Sequence, residues 1–327
     1  MIRIIFAASP AIAVPALIAM ANMALKGECV FLALLTNADS AKGRSKTATP
    51  TEAAAACTQV NERFAVAGIP PILQLKPQRL DAALYNEVAA LKPDLLVSFA
   101  YGTIFTGDFL KLFPLGGINI HPSLLPKYRG PTPIQAAILS GDTRTGLCIQ
   151  RLANGIDSGD ILAQETVPLN GRETSESLSL IMAEKAAALL PPTIISIIEH
   201  KMCGVPQSGD VSYCKKIEKA CGAIDWRKSA VFIDAQVRAF TPWPLCRTLH
   251  GGLPLFILEG GSVEEARAAD NGVPAGAVLG IDKKKGILIK CGEGIYAARR
   301  LQYEARKALD WKSFLNGAKN FTQAVLG

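Results

Sequence analysis

The chain has 327 residues, which at roughly 100–200 residues per domain leaves room for two domains with cores of their own. Apolar residues make up 49% and charged residues 19%, so an intrinsically disordered or low-complexity protein is excluded. Residues 1–210 carry 17 basic and 17 acidic side chains, so the whole net charge of +7 falls on residues 211–327. A basic second part suggests a polyanionic partner, although a lysine-rich surface would explain it as well.

The amino terminus contains an uncharged stretch at residues 4–25, as a secretory signal or a membrane span also would. Pro10 and Pro15 interrupt this stretch. Residues 2–7 are typical of a short buried strand, and residues 11–26 are typical of a helix with proline near its first turn. We therefore expect the strand, turn and helix with which a doubly wound domain begins, not a cleaved signal.

The first 200 residues alternate between strand-like and helix-like stretches. Strands are predicted at 2–7, 29–36, 94–99, 117–121 and 146–152. Helices are predicted at 11–26, 51–67, 79–91, 105–112, 132–140 and 175–200. Because proline is unfavourable inside a helix, we expect two helices or a kink at Pro191 and Pro192. The alternation predicts a Rossmann-like α/β domain with an open, mostly parallel sheet.

The composition changes at residues 201–212, which have few apolar side chains and several glycine and proline residues. We interpret this stretch as a linker between a first domain, 1–200, and a second domain, 213–327. Short apolar runs in the second domain are separated by glycine-rich turns and predict a small β-barrel or sandwich. These runs lie at 252–258, 276–281, 286–291 and 294–301.

The eight cysteines show no pair with the two-residue gap of a zinc knuckle or a redox dithiol. A disulfide framework is usual in small secreted chains, and this chain is neither small nor rich in cysteine. We therefore expect reduced, mostly buried thiols in a cytoplasmic protein.

The predicted strand 117–121 carries two candidate catalytic groups. Side chains alternate along a strand, so Asn119 and His121 project on one side while Ile118 and Ile120 anchor the other side in the core. Ligands of open α/β sheets bind beyond the carboxyl ends of the strands. An amide and an imidazole there can stabilise an oxyanion and shuttle a proton. The spacing alone leaves open an ordinary hydrogen-bonded pair at a strand end.

A third candidate group lies after the predicted strand 146–152, where Gly155 and Gly159 flank Asp157. Two glycines allow a tight loop that presents a carboxylate, and a carboxylate near an imidazole favours the imidazolium and fixes its orientation. Asp157 could equally be a turn residue that bonds its own backbone.

A polar loop at residues 38–49 carries Lys42, Arg44 and Lys46 next to glycine and serine. Such a flexible basic loop can fold over a phosphate-bearing ligand. Taken by itself, it could be no more than a solvated surface loop.

Taken together, these motifs resemble those of the folate-dependent formyltransferases, and the resemblance runs nearly end to end. It rests on the residues Asn119, His121, Ser123, Leu124, Leu125, Pro126 and Asp157. The loop 36–46 and the stretches 224–226 and 238–244 are similar to the branch of the family that acts on methionyl-tRNA. Pro122 departs from the family pattern and constrains the path of the chain after His121.

The resemblance implies transfer of the formyl group of 10-formyltetrahydrofolate to the α-amine of methionyl initiator tRNA, for translation initiation. Asn119 and His121 would stabilise the formyl oxygen, while Asp157 would hold His121 and help to move the proton of the amine. The resemblance assigns folate contacts to Ser123, Leu124, Leu125 and Pro126. It assigns tRNA contacts to Lys42, Arg44, Lys46 and an OB-like second domain. We expect a cytoplasmic monomer that needs no metal and no membrane.

Three other classes of function fit the sequence less well. Formyl transfer to a sugar-nucleotide amine, or to a small glycinamide, would not require the basic loop or the basic second domain. A nicotinamide-dependent dehydrogenase needs glycine in the first turn, where this chain has Ala8, Ser9 and Pro10. An RNA-binding protein without catalysis leaves the candidate groups at 119, 121 and 157 without a role.

Overall fold

A computed structural model of the protein describes residues 1–41, 47–200, 202–263, 272–318 and 320–327, without the side chain of His200. The chain divides into two compact units. The first unit comprises residues 1–133, 144–168 and 179–215. The second unit comprises residues 134–143, 169–178 and 216–327. The boundaries expected for the linker and the two domains stay predictions.

The first unit is built on a seven-stranded sheet. The strands of this part of the chain are β1 (Ile2–Ala8), β2 (Cys29–Leu35), β3 (Ser40–Ala41), β4 (Ala48–Thr49), β5 (Leu73–Leu75), β6 (Leu95–Phe99), β7 (Gly117–His121), β8 (Arg144–Arg151) and β9 (Ile161–Pro168). The sheet has the spatial order β5-β2-β1-β6-β7-β8-β9, and the short β3 pairs with β4. The first five strands in that order are parallel, whereas β8 and β9 are antiparallel to their neighbours. The predicted open, mostly parallel α/β sheet is therefore confirmed.

The centre of this sheet is apolar because helices cover both faces of a parallel sheet. All five residues of β6 are buried, as are six of the seven residues of β1. An aromatic row follows β6, with ring centroids 5.4–5.6 Å apart between successive members. Its members are Tyr101, Phe105, Phe109 and Phe113. This row anchors the chain between β6 and β7 and so fixes the position from which β7 starts.

The helices agree closely with the predicted ones. They are α1 (Val14–Leu25), α2 (Glu52–Val66), α3 (Ala82–Ala90), α4 (Gly107–Leu110), α5 (Pro133–Leu139) and α6 (Ser175–His200). The side chains of Thr51, Asp81 and Thr106 accept backbone hydrogen bonds at the starts of α2, α3 and α4. A short 3-10 helix, Ala11–Ala13, leads into α1, whose proline stands in its first turn.

Helix α6 is continuous across Pro191 and Pro192, so the prediction of two helices is wrong. The two prolines lack an N–H, so the backbone carbonyls of residues 187 and 188, four positions earlier, have no hydrogen-bond partner within the helix. Residue 187 is half-buried and residue 188 is exposed. Water can therefore satisfy them. Over Ser175–Glu199, α6 is long and apolar enough to cross a membrane by length and composition, and 39% of its most apolar window is buried within the structure. A buried core helix passes the same test, so this property assigns no location.

The second unit contains an antiparallel sheet with spatial order β10-β11-β14-β13-β12, and β15 pairs with β14. Its elements are α7 (Ala230–Ala239), β10 (Cys246–His250), β11 (Leu253–Val263), β12 (Val278–Asp282), β13 (Gly286–Lys290), β14 (Ile295–Tyr303), β15 (Leu309–Asp310) and α8 (Trp311–Gly317). Short 3-10 helices lie at Lys219–Gly222 and Phe321–Gln323. The long β11 changes register twice between Ile257 and Gly260, and such bulges bend a strand as a small barrel requires. An antiparallel β domain after the α/β domain is confirmed.

A buried tyrosine fills the centre of this second sheet. Tyr296 is fully buried against Gly260, where a Cβ atom would lie 2.1 Å from the tyrosine oxygen. Among the described residues, nothing bonds the Tyr296 hydroxyl. Burial keeps the pKa of Tyr296 well above its usual value. Only glycine fits at position 260, and the tyrosine supplies volume rather than a polar contact.

Candidate active site

Strand β7 presents the first two candidate groups as the period of a strand requires. Ile118 and Ile120 are buried on the core side, while Asn119 and His121 share the other face. In the antiparallel register with β8, Asn119 stands directly opposite Gln150. The side chains of such cross-strand pairs are neighbours on one face, so the sheet itself brings a second amide beside the first.

The third candidate group lies on a tight loop between β8 and β9. A Cβ atom at Gly159 would lie 1.8 Å from the carbonyl oxygen of Arg151, so glycine is required there. Asp157 has a φ of 45°, in the left-handed region that is unfavourable for most non-glycine residues. The loop therefore holds Asp157 in a strained conformation that points its carboxylate towards β7.

The carboxylate of Asp157 is the centre of the site. Its Oδ1 accepts hydrogen bonds from Asn119 Nδ2 at 3.2 Å and from Gln150 Nε2 at 3.0 Å. Its Oδ2 accepts a bond from the backbone N–H of Gly130 at 2.8 Å and lies 3.4 Å from His121 Nδ1. The structure thus brings Asn119, His121 and Asp157 together, although 38 residues separate the first from the last.

His121 is almost fully buried, with 4% of its surface exposed. Its Nε2 lies 2.9 Å from the carbonyl oxygen of Tyr128, which can only accept, so Nε2 carries the hydrogen. Burial lowers the pKa of His121 because desolvation disfavours the imidazolium, while the charge of Asp157 and the Tyr128 carbonyl act in the opposite direction. Both ring nitrogens therefore face protein atoms, and Nδ1 is the one that can take up a proton beside Asp157.

Asn119 is the candidate group with a donor to spare. A side-chain amide has two hydrogens, and one of them is donated to Asp157. Within the described part of the chain, no acceptor takes the other. Asn119 is half-buried, so this second N–H can reach a ligand oxygen.

The loop after β7 contains the four predicted folate contacts. The N–H of Ser123 donates to the His121 carbonyl at 2.9 Å and so closes a three-residue turn centred on Pro122. The central residue of such a turn usually has a φ near −75°, which a proline ring can adopt. The Ser123 hydroxyl donates to the Lys127 carbonyl at 2.6 Å. Ser123, Leu125 and Pro126 are buried, whereas Leu124 is half-buried and packs over Gly146. Pro122 is therefore compatible with the path of the chain, and the folate assignments stay a prediction.

The stretch predicted as a linker lies along the site. Residues 202–215 contain no helix or strand of their own, yet Arg129 pairs with Tyr213 in a parallel bridge. The N–H of Arg129 donates to the Ser212 carbonyl at 2.9 Å, and the N–H of Cys214 donates back to Arg129 at 2.8 Å. The loop that supplies Gly130 to the carboxylate is therefore fixed by the chain that follows α6.

Gln150 and Gln207 are two polar residues of the site that the sequence analysis missed. Gln207 Nε2 lies 2.9 Å from the Asp157 carbonyl oxygen, 2.8 Å from that of Gly159 and 3.2 Å from Gln150 Oε1. The pairing of β7 with β8 could have indicated Gln150, which lies opposite Asn119. No local pattern marks Gln207, because its role arises from a long-range contact.

The three predicted tRNA contacts, Lys42, Arg44 and Lys46, lie outside the described residues. The chain on either side of them forms the short β3–β4 pair. At its base, the Thr36 hydroxyl lies 2.7 Å from that of Thr51 and 3.2 Å from that of Ser9. Within the described ranges, no three His, Cys, Asp or Glu side chains are grouped so that they could hold a metal ion.

Two family models match this chain. Residues 2–194 match the formyl transferase model, and residues 216–319 match the C-terminal domain of formyl transferases. The methionyl-tRNA formyltransferase of Treponema denticola is 43% identical over 324 residues, 98% of each chain. The methionyl-tRNA formyltransferase of Treponema pallidum is 38% identical over 332 residues, 100% of each chain.

Solved structures share the fold at lower identity. An N-formyltransferase from Helicobacter canadensis, in complex with folinic acid and dTDP-3-aminofucose, has a TM-score of 0.63 at 20% identity, over 91% of this chain and 99% of its own. HypX from Aquifex aeolicus, in complex with tetrahydrofolic acid, has a TM-score of 0.60 at 16% identity, over 96% of this chain and 46% of its own. The family matches, together with the full-length similarity to methionyl-tRNA formyltransferases, confirm the resemblance inferred from the motifs: the chain belongs to the formyl transferase family.

Proposed function

We propose that this protein transfers the formyl group of 10-formyltetrahydrofolate to the α-amine of methionyl initiator tRNA. The observation that carries the proposal is the convergence of Asn119 and His121 on the carboxylate of Asp157. Its substrates follow from the full-length relatives, which are named methionyl-tRNA formyltransferases. The reaction forms a bond between the amine nitrogen and the formyl carbon and breaks the bond from that carbon to the folate nitrogen.

Asn119 stabilises the charge that develops on the formyl oxygen in this proposal. The folate supplies an activated formyl carbon, and the protein supplies orientation and charge. The second amide hydrogen of Asn119 points away from Asp157 and is available to that oxygen. Loss of one such donor typically raises the barrier by about 3–4 kcal/mol. The bond from the first hydrogen to Asp157 keeps the amide in the orientation this donation needs.

The resemblance gave His121 a share in stabilising the formyl oxygen. Because both of its ring nitrogens face protein atoms, we propose instead that His121 and Asp157 act together on the proton that the attacking amine must lose. The Nε2 hydrogen of His121 is donated to Tyr128, so Nδ1 can accept a proton, and the Asp157 carboxylate lies 3.4 Å from it. The pair therefore provides one shared proton site next to Asn119. We propose that the proton reaches this site through water and is then passed to the departing folate nitrogen.

The two substrates are held by different parts of the chain in this proposal. Ser123, Leu124, Leu125 and Pro126 form the folate-contacting loop. The tRNA is bound by Lys42, Arg44 and Lys46 and by the basic second domain, whose attraction for phosphates weakens as salt is added. We further propose that the protein acts as a cytoplasmic monomer.

Substrate competition tests the proposed function. The protein is incubated with 10-formyltetrahydrofolate and either methionyl initiator tRNA or a dTDP-linked amino sugar, and formylation of each amine is measured. We expect formyl-methionyl-tRNA and little formylated sugar. Formylation of the sugar alone would refute the tRNA assignment, and formylation of neither would refute formyl transfer altogether.

A further inference from the structure

The side chain of Gln207 connects the chain after α6 to the loop that carries Asp157. Its amide nitrogen lies within hydrogen-bond distance of the Asp157 and Gly159 carbonyl oxygens, at 2.9 and 2.8 Å. Both groups can only accept, so the two N–H bonds of Gln207 hold the loop at the carbonyl of Asp157 itself and at that of Gly159, two residues later. The third neighbour of this nitrogen is Gln150 Oε1 at 3.2 Å.

These bonds meet the loop at its strained position. Asp157 is in the left-handed region, which a non-glycine residue occupies only when its surroundings hold it there. The side chain of Asp157 is fixed by its own partners on β7, but its backbone turns on the loop side. Gln207 therefore holds the backbone of Asp157, whereas the contacts from β7 hold its side chain.

Arg129 sets the orientation of this amide. Its guanidinium donates from Nε at 3.1 Å and from Nη2 at 2.6 Å to Gln207 Oε1, a two-pronged contact that a rotated amide would lose. The oxygen of Gln207 therefore points to Arg129, and its nitrogen must point to the loop. The next residue after Arg129 is Gly130, which donates its N–H to the carboxylate of Asp157.

We propose that Gln207 is a positioning residue for formyl transfer: it holds Asp157 in the catalytic conformation through the backbone, with Arg129 fixing its amide. This inference rests on the proposed function. Gln207 has no contact with the reacting atoms in this assignment and acts through Asp157. The segment from residue 202 to 215 thus belongs to the catalytic machinery and does more than connect domains.

The substitution that tests the amide is Gln207→Glu, which keeps the shape and the oxygen that faces Arg129 but cannot donate to the loop carbonyls. Removal of the hydrogen-bond partners that orient metal ligands typically costs about 10–100-fold in activity, and we take the same range for a group that orients a catalytic carboxylate. We therefore expect kcat to fall about 10–100-fold with Gln207→Glu and with Gln207→Ala, while the KM values for folate and for tRNA change less than about twofold. Gln164→Glu makes the same change on the exposed edge of β9 and should leave kcat unchanged.

A double-mutant cycle with Asp157→Asn separates positioning from a general structural role. If Gln207 acts through Asp157, Gln207→Glu costs little once Asp157 has been changed, because the two effects are not additive. Thermal melting of each variant reports folding independently of activity. Retention of at least half of the wild-type kcat by Gln207→Glu, or full additivity with Asp157→Asn, would overturn the inference.

The cycle also distinguishes this inference from the proposed function. Near-normal turnover by Asp157→Asn alone would remove Asp157 from the mechanism and overturn the positioning role with it, whereas the absence of formylated tRNA with the unchanged protein would refute the proposed function. A large loss with Asp157→Asn but none with Gln207→Glu would leave the proposed function intact and refute the positioning role. Arg129→Lys, which keeps one charge but loses the two-pronged contact, should give a smaller loss in kcat than Gln207→Glu.

Discussion

Replacement of Asp157 by asparagine tests the centre of the site with almost no change of volume. The carboxylate accepts three hydrogen bonds, at 3.2, 3.0 and 2.8 Å, and faces His121 Nδ1 at 3.4 Å. An asparagine side chain has one acceptor oxygen, so its NH2 group must face at least one of the same donors. Hydrogen bonds to charged groups contribute about 1.5–3 kcal/mol each, and at least one would be lost.

The effect of Asp157→Asn on turnover is expected to be larger than its effect on folding. Positioned general acid–base groups typically contribute about 10²–10⁴-fold to the rate, which corresponds to a barrier increase of about 2.7–5.5 kcal/mol. We expect kcat to fall by such a factor while the KM for folate stays close to the wild-type value. Formylated methionyl-tRNA is separated and counted over time at saturating folate.

Asp160→Asn is the matched control, because it removes the same charge from an exposed residue three positions further along the loop. It should leave kcat within about twofold of the wild-type value, since exposed surface charges contribute little. A kcat for Asp157→Asn within tenfold of the control would show that the carboxylate does not take part in the reaction. An equal loss in both variants would point to the charge of the loop as a whole.

Three further predictions concern folding and pH. Gly159→Ala places a Cβ atom 1.8 Å from a backbone oxygen, so we expect a lower melting temperature and lost turnover. Gly317→Ala, whose Cβ atom meets nothing within 4 Å, should be neutral. Equal melting temperatures for the two variants would refute the claim that position 159 requires glycine. Tyr296→Phe removes a buried hydroxyl that has no partner among the described residues, so the free energy of unfolding should stay unchanged or rise by about 1 kcal/mol. A clear decrease of the free energy of unfolding in a denaturant titration would show that the hydroxyl does make a stabilising contact. Burial lowers the pKa of His121 in the folded state, so its contribution to stability is complete above about pH 6.5 and is lost as the pH falls towards that lower pKa. His121→Gln should therefore flatten that part of the curve of melting temperature against pH, and identical curves would contradict it.

The fold was predictable where the pattern is local. The central strands are continuous apolar runs between polar turns, and β1, β6 and β7 lie within one residue of their predicted positions. The edge strands β5 and β9 were missed, because β5 has only three residues and β9 has only two buried residues, at positions 162 and 167, without a strict alternation. The prediction that α6 splits into two helices at Pro191 and Pro192 was wrong, because exposure to water compensates for the hydrogen bonds that its prolines lose.

The candidate site was predictable only in part. The strand period placed Asn119 and His121 on one face, and the flanking glycines marked the loop of Asp157. Gln150 depends on an antiparallel register that the sequence does not display. Gln207 depends on a contact across 50 residues, from a stretch whose composition is typical of a linker.

The course of residues 202–215 bears on how the amino-terminal part of such an enzyme can be isolated or exchanged. A recombinant fragment that stops at residue 194, where the first family model ends, would lack the residues after α6 that bond Arg129 and Gly159. A fragment extended to residue 215 would keep them, together with the bridge at Tyr213. Chimaeras between relatives should accordingly be joined after residue 215, so that each catalytic loop keeps the segment 202–215 of its own chain.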